Sequence, residues 1–472
     1  MKKILEKSAA LRRGEEHNMP ETISAIPSSL SFFSNSIFKI RDTIITMACD
    51  HKEDFIVILA TEKSELTEKF EGEIIGDEDN FAKKCRTSSR NAAALRELFP
   101  WTAPVKCPEN MTAVCCNNFF GLSAPGFIKG CEEKNLFPVL TELSPQNCTD
   151  NSGSFQQMVD KATFQIFECG YRKGFGAAAE NLQNLSEIDA AIKSGISMYS
   201  IDLAAVVADS LLQAEHAEIN AAFARLPHKL QHYINKHYNC RKFSCGDEKI
   251  YFSSDCGRIC AVAYPEALSF IKMIDSHIKK YRADNFDLEI SWRGNAGATE
   301  PEHLYYLLAE LKLLQVNCGS IAPRLNSAAA AAVKRCCAVA GHFNARLGIS
   351  DLELKINDDI KKYPLQIGSP ALLWLPAMQA VAADAPELFR VTYNFALKNC
   401  RSSCEQAPEI AALYDEELHA FIKDNVYGRK LLADSMYRIV ESDQLQTLLA
   451  AQLHRSRKTY CEYVQAATVA LF

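Results

Sequence analysis

The chain has 472 residues, 48% hydrophobic and 23% charged, a balance that supports a large core and more than one domain and excludes a disordered or fibrous protein. Its formal net charge is -6, and its Lys/Arg runs are as short as Lys361-Lys362, so a surface built to neutralise phosphates, and with it a nucleic-acid partner, is not expected. No run is long and apolar enough to span a bilayer, so no membrane partner is expected either.

Residues 1–30 read as an N-terminal extension. They open on Met1-Lys2-Lys3-Ile4-Leu5-Glu6-Lys7 as a signal peptide does, but continue into Arg12-Arg13-Gly14-Glu15-Glu16 without an apolar core, which points to a cytoplasmic protein. Eighteen cysteines are scattered along the chain, some inside helical patterns such as Cys336-Cys337. That is not the layout of a small secreted disulfide scaffold, and reduced thiols are expected.

Residues 31–88 read as a small β-rich subdomain, because Thr43-Ile44-Ile45-Thr46-Met47 and Phe55-Ile56-Val57-Ile58-Leu59-Ala60 are short β-branched runs. From Ser89 the pattern changes, with an amphipathic helix over Asn91 to Phe99 before Pro100. Strand-like and helix-like segments then alternate: Met111 to Val114, Phe137 to Leu140, a helix from Phe155 to Gly170, Met198 to Asp202, and a helix from Tyr264 to Tyr281. Such alternation predicts a parallel sheet with crossover helices. At this length a (β/α) TIM-type barrel over residues 89–400 is the first expectation and an open doubly wound sheet the second. Residues 401–472 read as a helical C-terminal portion, with helices over Glu409 to Ile422 and Leu445 to Ala467. No internal repeat is visible.

Within the barrel, Phe286 to Trp292 and Gly319 to Arg324 frame a strand–loop–helix–strand unit of the kind that carries chemistry at its strand ends. Yet its loop, Arg293-Gly294-Asn295-Ala296-Gly297-Ala298-Thr299, holds no carboxylate, His or Cys.

Cys240, Cys245, Cys256 and Cys260, with His232 and His237 before them, are the densest group of possible metal ligands. Their spacings do not fit the short paired knuckles of structural zinc, the stretch Lys249 to Phe252 between them looks like a strand, and buried or loop cysteines are the plainer reading. Cys400 and Cys404 are weaker still. The glycines of Gly174-Phe175-Gly176 either let the backbone approach an anion or close a helix. No phosphate-loop or dinucleotide fingerprint is present.

Asp202 ends an apolar strand, where a barrel places a catalytic acid, or else it caps the next helix. Glu302 and His303 open a helix after Pro301; Glu302 suits the helix dipole, and His303 is a candidate acid, base or ligand. Arg324, just past a strand end, offers a planar fork for a substrate carboxylate, or forms an ion pair.

With these residues assembled, the chain resembles the tagaturonate/fructuronate epimerase family of hexuronate catabolism. The likeness is carried by Asn91 to Pro104, Gly121-Leu122-Ser123-Ala124-Pro125-Gly126-Phe127-Ile128, Phe167 to Ala177, and Ile188 to Asp202. It continues through the unit with Glu302-His303, Glu310-Leu311-Lys312 and Ala322-Pro323-Arg324, and Asp384-Ala385-Pro386-Glu387-Leu388-Phe389-Arg390. The order matches from about residue 35 onward. The resemblance implies a barrel enzyme that inverts one carbinol centre of a keto sugar acid, using a divalent metal to polarise the ketone and hold an enediolate, proton-transfer groups, and a cation for the carboxylate.

The polar motifs depart from that pattern. An Asp-Glu pair expected after Ile290 is replaced near Trp292-Arg293-Gly294, and a Gly-Asp-Arg expected before Gly121 reads Asn117-Asn118-Phe119-Phe120. Acidic and His positions after Gly176 read Ala177-Ala178-Ala179-Glu180-Asn181, and the loop after Arg324 is shortened to Leu325-Asn326-Ser327. A His-Ser-Gly-Ser-Asp-Lys type segment has become Leu354 to Asp359, and Leu431 to Ser435 lacks an expected His. Removing several ligands together removes most of a metal's affinity.

No cofactor is therefore expected from these residues, although ligands could have migrated to Asp202, Glu180, Asp358 or His303. Two functions are compatible with this pattern. One is a sugar-acid epimerase or isomerase with impaired or altered activity, with Asp202 and His303 in catalysis and Arg324 on the carboxylate. The other is a non-catalytic relative binding a sugar acid or a partner subunit at the barrel mouth. The expected ligand is a small-molecule sugar acid; oligomeric state is not readable.

Overall fold

The computed structural model describes residues 30–50, 53–75, 81–116, 120–143, 154–291, 299–325, 330–349, 357–368 and 371–471. Its first unit is an antiparallel sheet of β1 (Ser31–Phe32), β2 (Phe38–Ile40), β3 (Thr43–Cys49), β4 (Asp54–Ala60), β5 (Glu73–Ile74) and β6 (Phe81–Arg86). The order is β1-β3-β4-β6-β5, with β2 also pairing β3. The two β-branched runs form its centre because alternate side chains leave opposite faces. Ile45, Met47, Ile56 and Ile58 pack with Phe99 and Phe167 of the neighbouring helical layer, while Ile44, Val57 and Leu59 pack with Leu30 and Ile37.

Eight parallel strands follow: β7 (Ala113–Cys115), β8 (Phe137–Leu143), β9 (Gly176–Leu182), β10 (Met198–Asp202), then, after a hairpin of β11 (Lys242–Cys245) and β12 (Glu248–Tyr251), β13 (Asp287–Ser291), β14 (Ser320–Ala322), β15 (Arg346–Ile349) and β16 (Leu365–Gly368). Each pairs with the next, and β16 pairs back to β7, closing the expected (β/α) barrel. Outward positions Tyr199, Ile201, Leu288, Ile290, Ile321, Leu347 and Ile367 pack against the surrounding helices. Strand alternation therefore turns Ser200, Asp202, Asp287, Glu289, Ser291, Ser320, Ala322, Arg346 and Gln366 inward. This interior is unusually polar for a fold normally filled by branched aliphatics.

Between β10 and β13 the chain makes an excursion at the carboxyl side of the strands, with short helices Asp209–Leu212, His216–Ala224, His228–His237 and Cys256–Ala263 around the hairpin. The helix Pro265–Arg282 then completes the barrel layer. Glu310, on the helix Pro301–Leu313, accepts hydrogen bonds from the hydroxyls of Tyr233 (2.8 Å) and Tyr238 (2.5 Å), tying the excursion to the barrel.

The C-terminal region is helical, but its expected helices differ in extent. The first runs Asp415–Asp424 rather than from Glu409: carbonyls of Ile410 and Leu413 accept from Arg390, and those contacts hold the preceding segment out of helical geometry. The second is split into Asp443–Arg455 and Arg457–Ala470 at Ser456, whose hydroxyl accepts from Gln452 Nε2. Helix Arg457–Ala470 lies directly on helix Ala124–Glu133. A Cβ at Gly126 would stand 2.1 Å from the Cys461 carbonyl oxygen and one at Gly130 2.6 Å from Thr468 Cβ, so the two glycines permit the contact. The described cysteines are free thiols. Among the described residues no helix is long and apolar enough to cross a membrane.

Candidate functional site

The barrel interior has two charged layers. At the amino end of the strands, Arg346 Nη2 meets Asp287 Oδ1 at 2.7 Å, and the backbone N–H of Cys107 donates to Asp287 Oδ2 at 2.7 Å. Nearer the carboxyl ends, Glu289 accepts from Ser320 Oγ at 3.1 Å and from Gln366 Nε2. Glu289 is 6% exposed. Beside it, Ser200 is paired in register with Glu289, and Ser200 Oγ and Gln366 Oε1 are buried without a hydrogen-bond partner among the described residues. Orphaned buried acceptors and hydroxyls of this kind mark a place where a polar ligand or water completes the set.

The strand ends above this floor are small or bent. Ser291 donates to the Ile201 carbonyl. At the end of β9, Asn181 has a left-handed φ of 55°, and the pairing with β10 slips between Tyr199 and Ile201. A bulge there re-aims the side chains around Glu180 at the rim. Asp202 ends β10 as expected, but no helix opens at Leu203: the next begins at Asp209, and Asp202 Oδ1 accepts from the Ala204 N–H at 3.0 Å in a local turn rather than as a helix cap.

On the same side, a second polar cluster joins β14 to the excursion. Arg324 is fixed through its backbone by Thr299, and its Nη2 meets Asp209 Oδ1 at 3.0 Å; its side chain is 9% exposed. Ala208 N–H donates to the Ala263 carbonyl, so the Asp209 turn is anchored next to Tyr264. The Tyr264 hydroxyl lies 3.1 Å from His303 Nδ1. Burial pushes the Tyr264 phenol well above its ordinary range, so it stays a neutral hydroxyl.

His303 also converges with Cys256 and Cys260, all three ligand atoms lying within 4.8 Å of one another. Hydrogen bonding from the Cys260 thiol, opposed by burial and aided by His303, holds Cys256 down at about 6, whereas burial drives Cys260 well up.

Of the sequence candidates, the structure links His303 and Arg324 to one cluster through Tyr264 and Asp209, and leaves Asp202 at the strand end as a turn cap. Glu302 is 3.8 Å from Arg335. The cysteine group divides: Cys240 is exposed, Cys245 is buried in the hairpin, and His232 and His237 sit on an exposed helix face, while Cys256 and Cys260 pair with His303 instead. Gly170, not Gly174, caps the helix Phe155–Cys169, and Gly174 and Gly176 lead into β9 at the end opposite the mouth. Cys400 and Cys404 are buried, Cys404 Sγ donating to the Tyr427 carbonyl. The loop 292–298 and residues 117–119, 326–329 and 350–356, on which most motif departures fall, lie outside the described residues.

Asp209, Tyr264 and Glu289 are not among the sequence candidates. Glu289 is the findable one: it is an acid at the centre of β13, between the apolar Leu288 and Ile290. Asp209 and Tyr264 carry no local signal.

A divalent cation that polarises a ketone needs oxygen and nitrogen donors converging on the barrel axis. Among the described residues the one convergent group of three is Cys256, Cys260 and His303, contributed by helices rather than strand ends and rich in thiol. The described residues do not by themselves make such a centre; what they bring to the site is a fixed guanidinium, a rim carboxylate and a polar floor.

Comparison with known proteins places this arrangement. The profile of the tagaturonate epimerase family matches residues 33–330. A tagaturonate/fructuronate epimerase from Thermotoga maritima is 23% identical over 416 residues, covering 80% of this chain and 84% of that protein. Two crystal structures of the fructuronate-tagaturonate epimerase from Cohnella laeviribosi share the fold at 20% identity. The native one has a TM-score of 0.85 over 94% of this chain and 96% of that one. The one-glycerol complex has a TM-score of 0.84 over 100% and 99%.

Proposed function

The chain belongs to the tagaturonate epimerase family, and from that premise we propose that it binds a keto sugar acid in the barrel mouth and carries an impaired or altered form of the family's epimerisation. The observation that carries this reading is the buried polar floor. Glu289, bracketed by Ser320 and Gln366, with the orphaned Ser200 Oγ and Gln366 Oε1, presents acceptors and donors suited to a polyhydroxylated ligand.

Arg324 supplies the carboxylate contact. Asp209 holds one arm of the guanidinium, which pre-orients the fork and keeps its charge compensated between ligands. Asp202 stands at the rim as the acid nearest a β10 strand end, its orientation set by the Ala204 N–H. The impairment in this reading is supported by the donor set: the described residues bring no convergent axial oxygen and nitrogen ligands, and neutral donors alone would meet charge developing on a ketone oxygen more weakly.

The test is to incubate the protein with tagaturonate and with fructuronate and follow each epimer by NMR, with the Thermotoga maritima epimerase as reference. The expected result is saturable binding with conversion slower than the reference by roughly 100-fold or more, the size of effect that follows loss of a positioned acid–base or electrophilic group. Binding with no conversion supports the non-catalytic form of the same reading. Conversion at the reference rate, abolished by a chelator, overturns the impairment, and absence of binding overturns the ligand class.

A further inference from the structure

We propose that Cys256, Cys260 and His303 form a binding site for a thiophilic divalent cation of the Zn2+ type, pinning the excursion between β10 and β13 to the barrel helix Pro301–Leu313. The inference does not rest on the function proposed above, which draws on Glu289, Asp202, Asp209 and Arg324; it takes His303, which the sequence placed among the catalytic candidates, as a metal ligand instead. It rests on convergence from two separate elements: Cys256 and Cys260 stand one turn apart on the same face of helix Cys256–Ala263, and His303 comes from the first turn of the barrel helix.

The geometry is within reach of coordination. The three ligand atoms lie within 4.8 Å of one another, whereas tetrahedral zinc with thiolate and imidazole bonds of about 2.3 and 2.0 Å requires separations of roughly 3.5–3.8 Å. Contraction by about 1 Å is what side-chain rotation supplies. Cys260 is fully buried while Cys256 and His303 are half-buried, so the group has a dry inner wall and an open side for entry and for a fourth, water ligand.

Support from the surroundings is also present. A metal-bound imidazole is normally oriented by a partner outside the coordination shell, and the Tyr264 hydroxyl, 3.1 Å from Nδ1, holds the His303 ring. Two thiols alone could form a disulfide, but that bond would give His303 no part. A cation accounts for all three donors, and soft thiolates select Zn2+ over Mg2+ or Ca2+.

Bound there, the ion would fasten helix Cys256–Ala263 to the barrel. Through the Ala208–Ala263 hydrogen bond it would also steady the turn that presents Asp209 to Arg324.

The experiment uses the full chain, purified without a polyhistidine tag. Metal content by plasma mass spectrometry should give one Zn2+ per chain after exposure to Zn2+ and dialysis. Replacement by Co2+ should produce a thiolate-to-cobalt charge-transfer band in the near ultraviolet. Cys256→Ser and His303→Ala should each lose the band, while Cys240→Ser, at an exposed cysteine outside the group, should keep it. If the variants fail to fold, alkylation of the wild type decides: Zn2+ should protect Cys256 from iodoacetamide, as mapped by peptide mass spectrometry. A zinc-free protein with no cobalt band, an unprotected Cys256, or a Cys256–Cys260 disulfide that excludes metal would overturn the proposal.

Discussion

Arg324, at the end of β14, and Asp209, in the excursion after β10, meet at 3.0 Å across 115 residues of sequence. One guanidinium is thus held by one carboxylate at the rim of a barrel whose floor is a second carboxylate, Glu289. The pairing lets a strongly charged group wait in a largely desolvated place without carrying an uncompensated charge. A ligand carboxylate would share or displace Asp209.

If Arg324 grips a carboxylate, Arg324→Ala should weaken tagaturonate binding by about 1.5–3 kcal/mol, roughly 10- to 150-fold. Arg324→Lys should recover little of it, because a point charge does not reproduce the planar fork. Titration calorimetry of both variants checks this. Equal affinity in wild type and Arg324→Ala would remove Arg324 from the site.

The ion pair at the amino end of the barrel is a different case. Asp287 and Arg346 have side chains 2% and 6% exposed, and the Cys107 N–H completes the Asp287 shell. Arg346→Ala should cost about 3–5 kcal/mol by stranding a buried carboxylate, whereas a double replacement by apolar residues should cost clearly less. Urea unfolding of the single and double variants gives the comparison, and additive losses would contradict it.

Glu168 provides a pH signature. Burial pushes its carboxyl up to about 7 from 4.5, although Arg457 on the C-terminal helix contacts it. Because the folded state holds this proton more tightly, its contribution is most favourable below 4.5 and declines as pH rises from 4.5 to about 7. The melting temperature of Glu168→Gln relative to wild type should therefore climb through that interval. A constant difference across it would refute the assignment.

Gly126 and Gly130 predict a steric effect. Gly126→Ala places a methyl 2.1 Å from the Cys461 carbonyl, against backbone that cannot turn aside, and should destabilise by about 1–3 kcal/mol or more. Limited proteolysis should then cut first around Ser456, the break before the docked helix. A variant as resistant as wild type would show that the helix has another seat.

Much of the fold is legible in the sequence because it is local. Met198 to Asp202 and the core of Phe286 to Trp292 carry strand chemistry in their own residues, and β10 and β13 fall where those runs do. The late start at Asp415 is not legible, since it depends on hydrogen bonds from the Arg390 side chain to the Ile410 and Leu413 carbonyls, and the break at Ser456 carries neither Gly nor Pro to announce it. The site divides in the same way. His303 and Arg324 are visible from their places at element ends. Their joining through Tyr264 and Asp209 is not, because it comes from barrel closure and from how the excursion folds back. Cys256 and Cys260 group with neighbours in sequence, while their partner in space, His303, lies beyond β13 on helix Pro301–Leu313.

The measurement that bears most directly on the account is saturation-transfer NMR of tagaturonate with the wild-type protein, read in the same sample over time for the appearance of fructuronate. The account predicts ligand signals that gain saturation from the protein and lose it in Arg324→Ala, while the epimer accumulates far more slowly than with the Thermotoga maritima enzyme. No saturation transfer, or rapid equilibration of the two epimers, would contradict it.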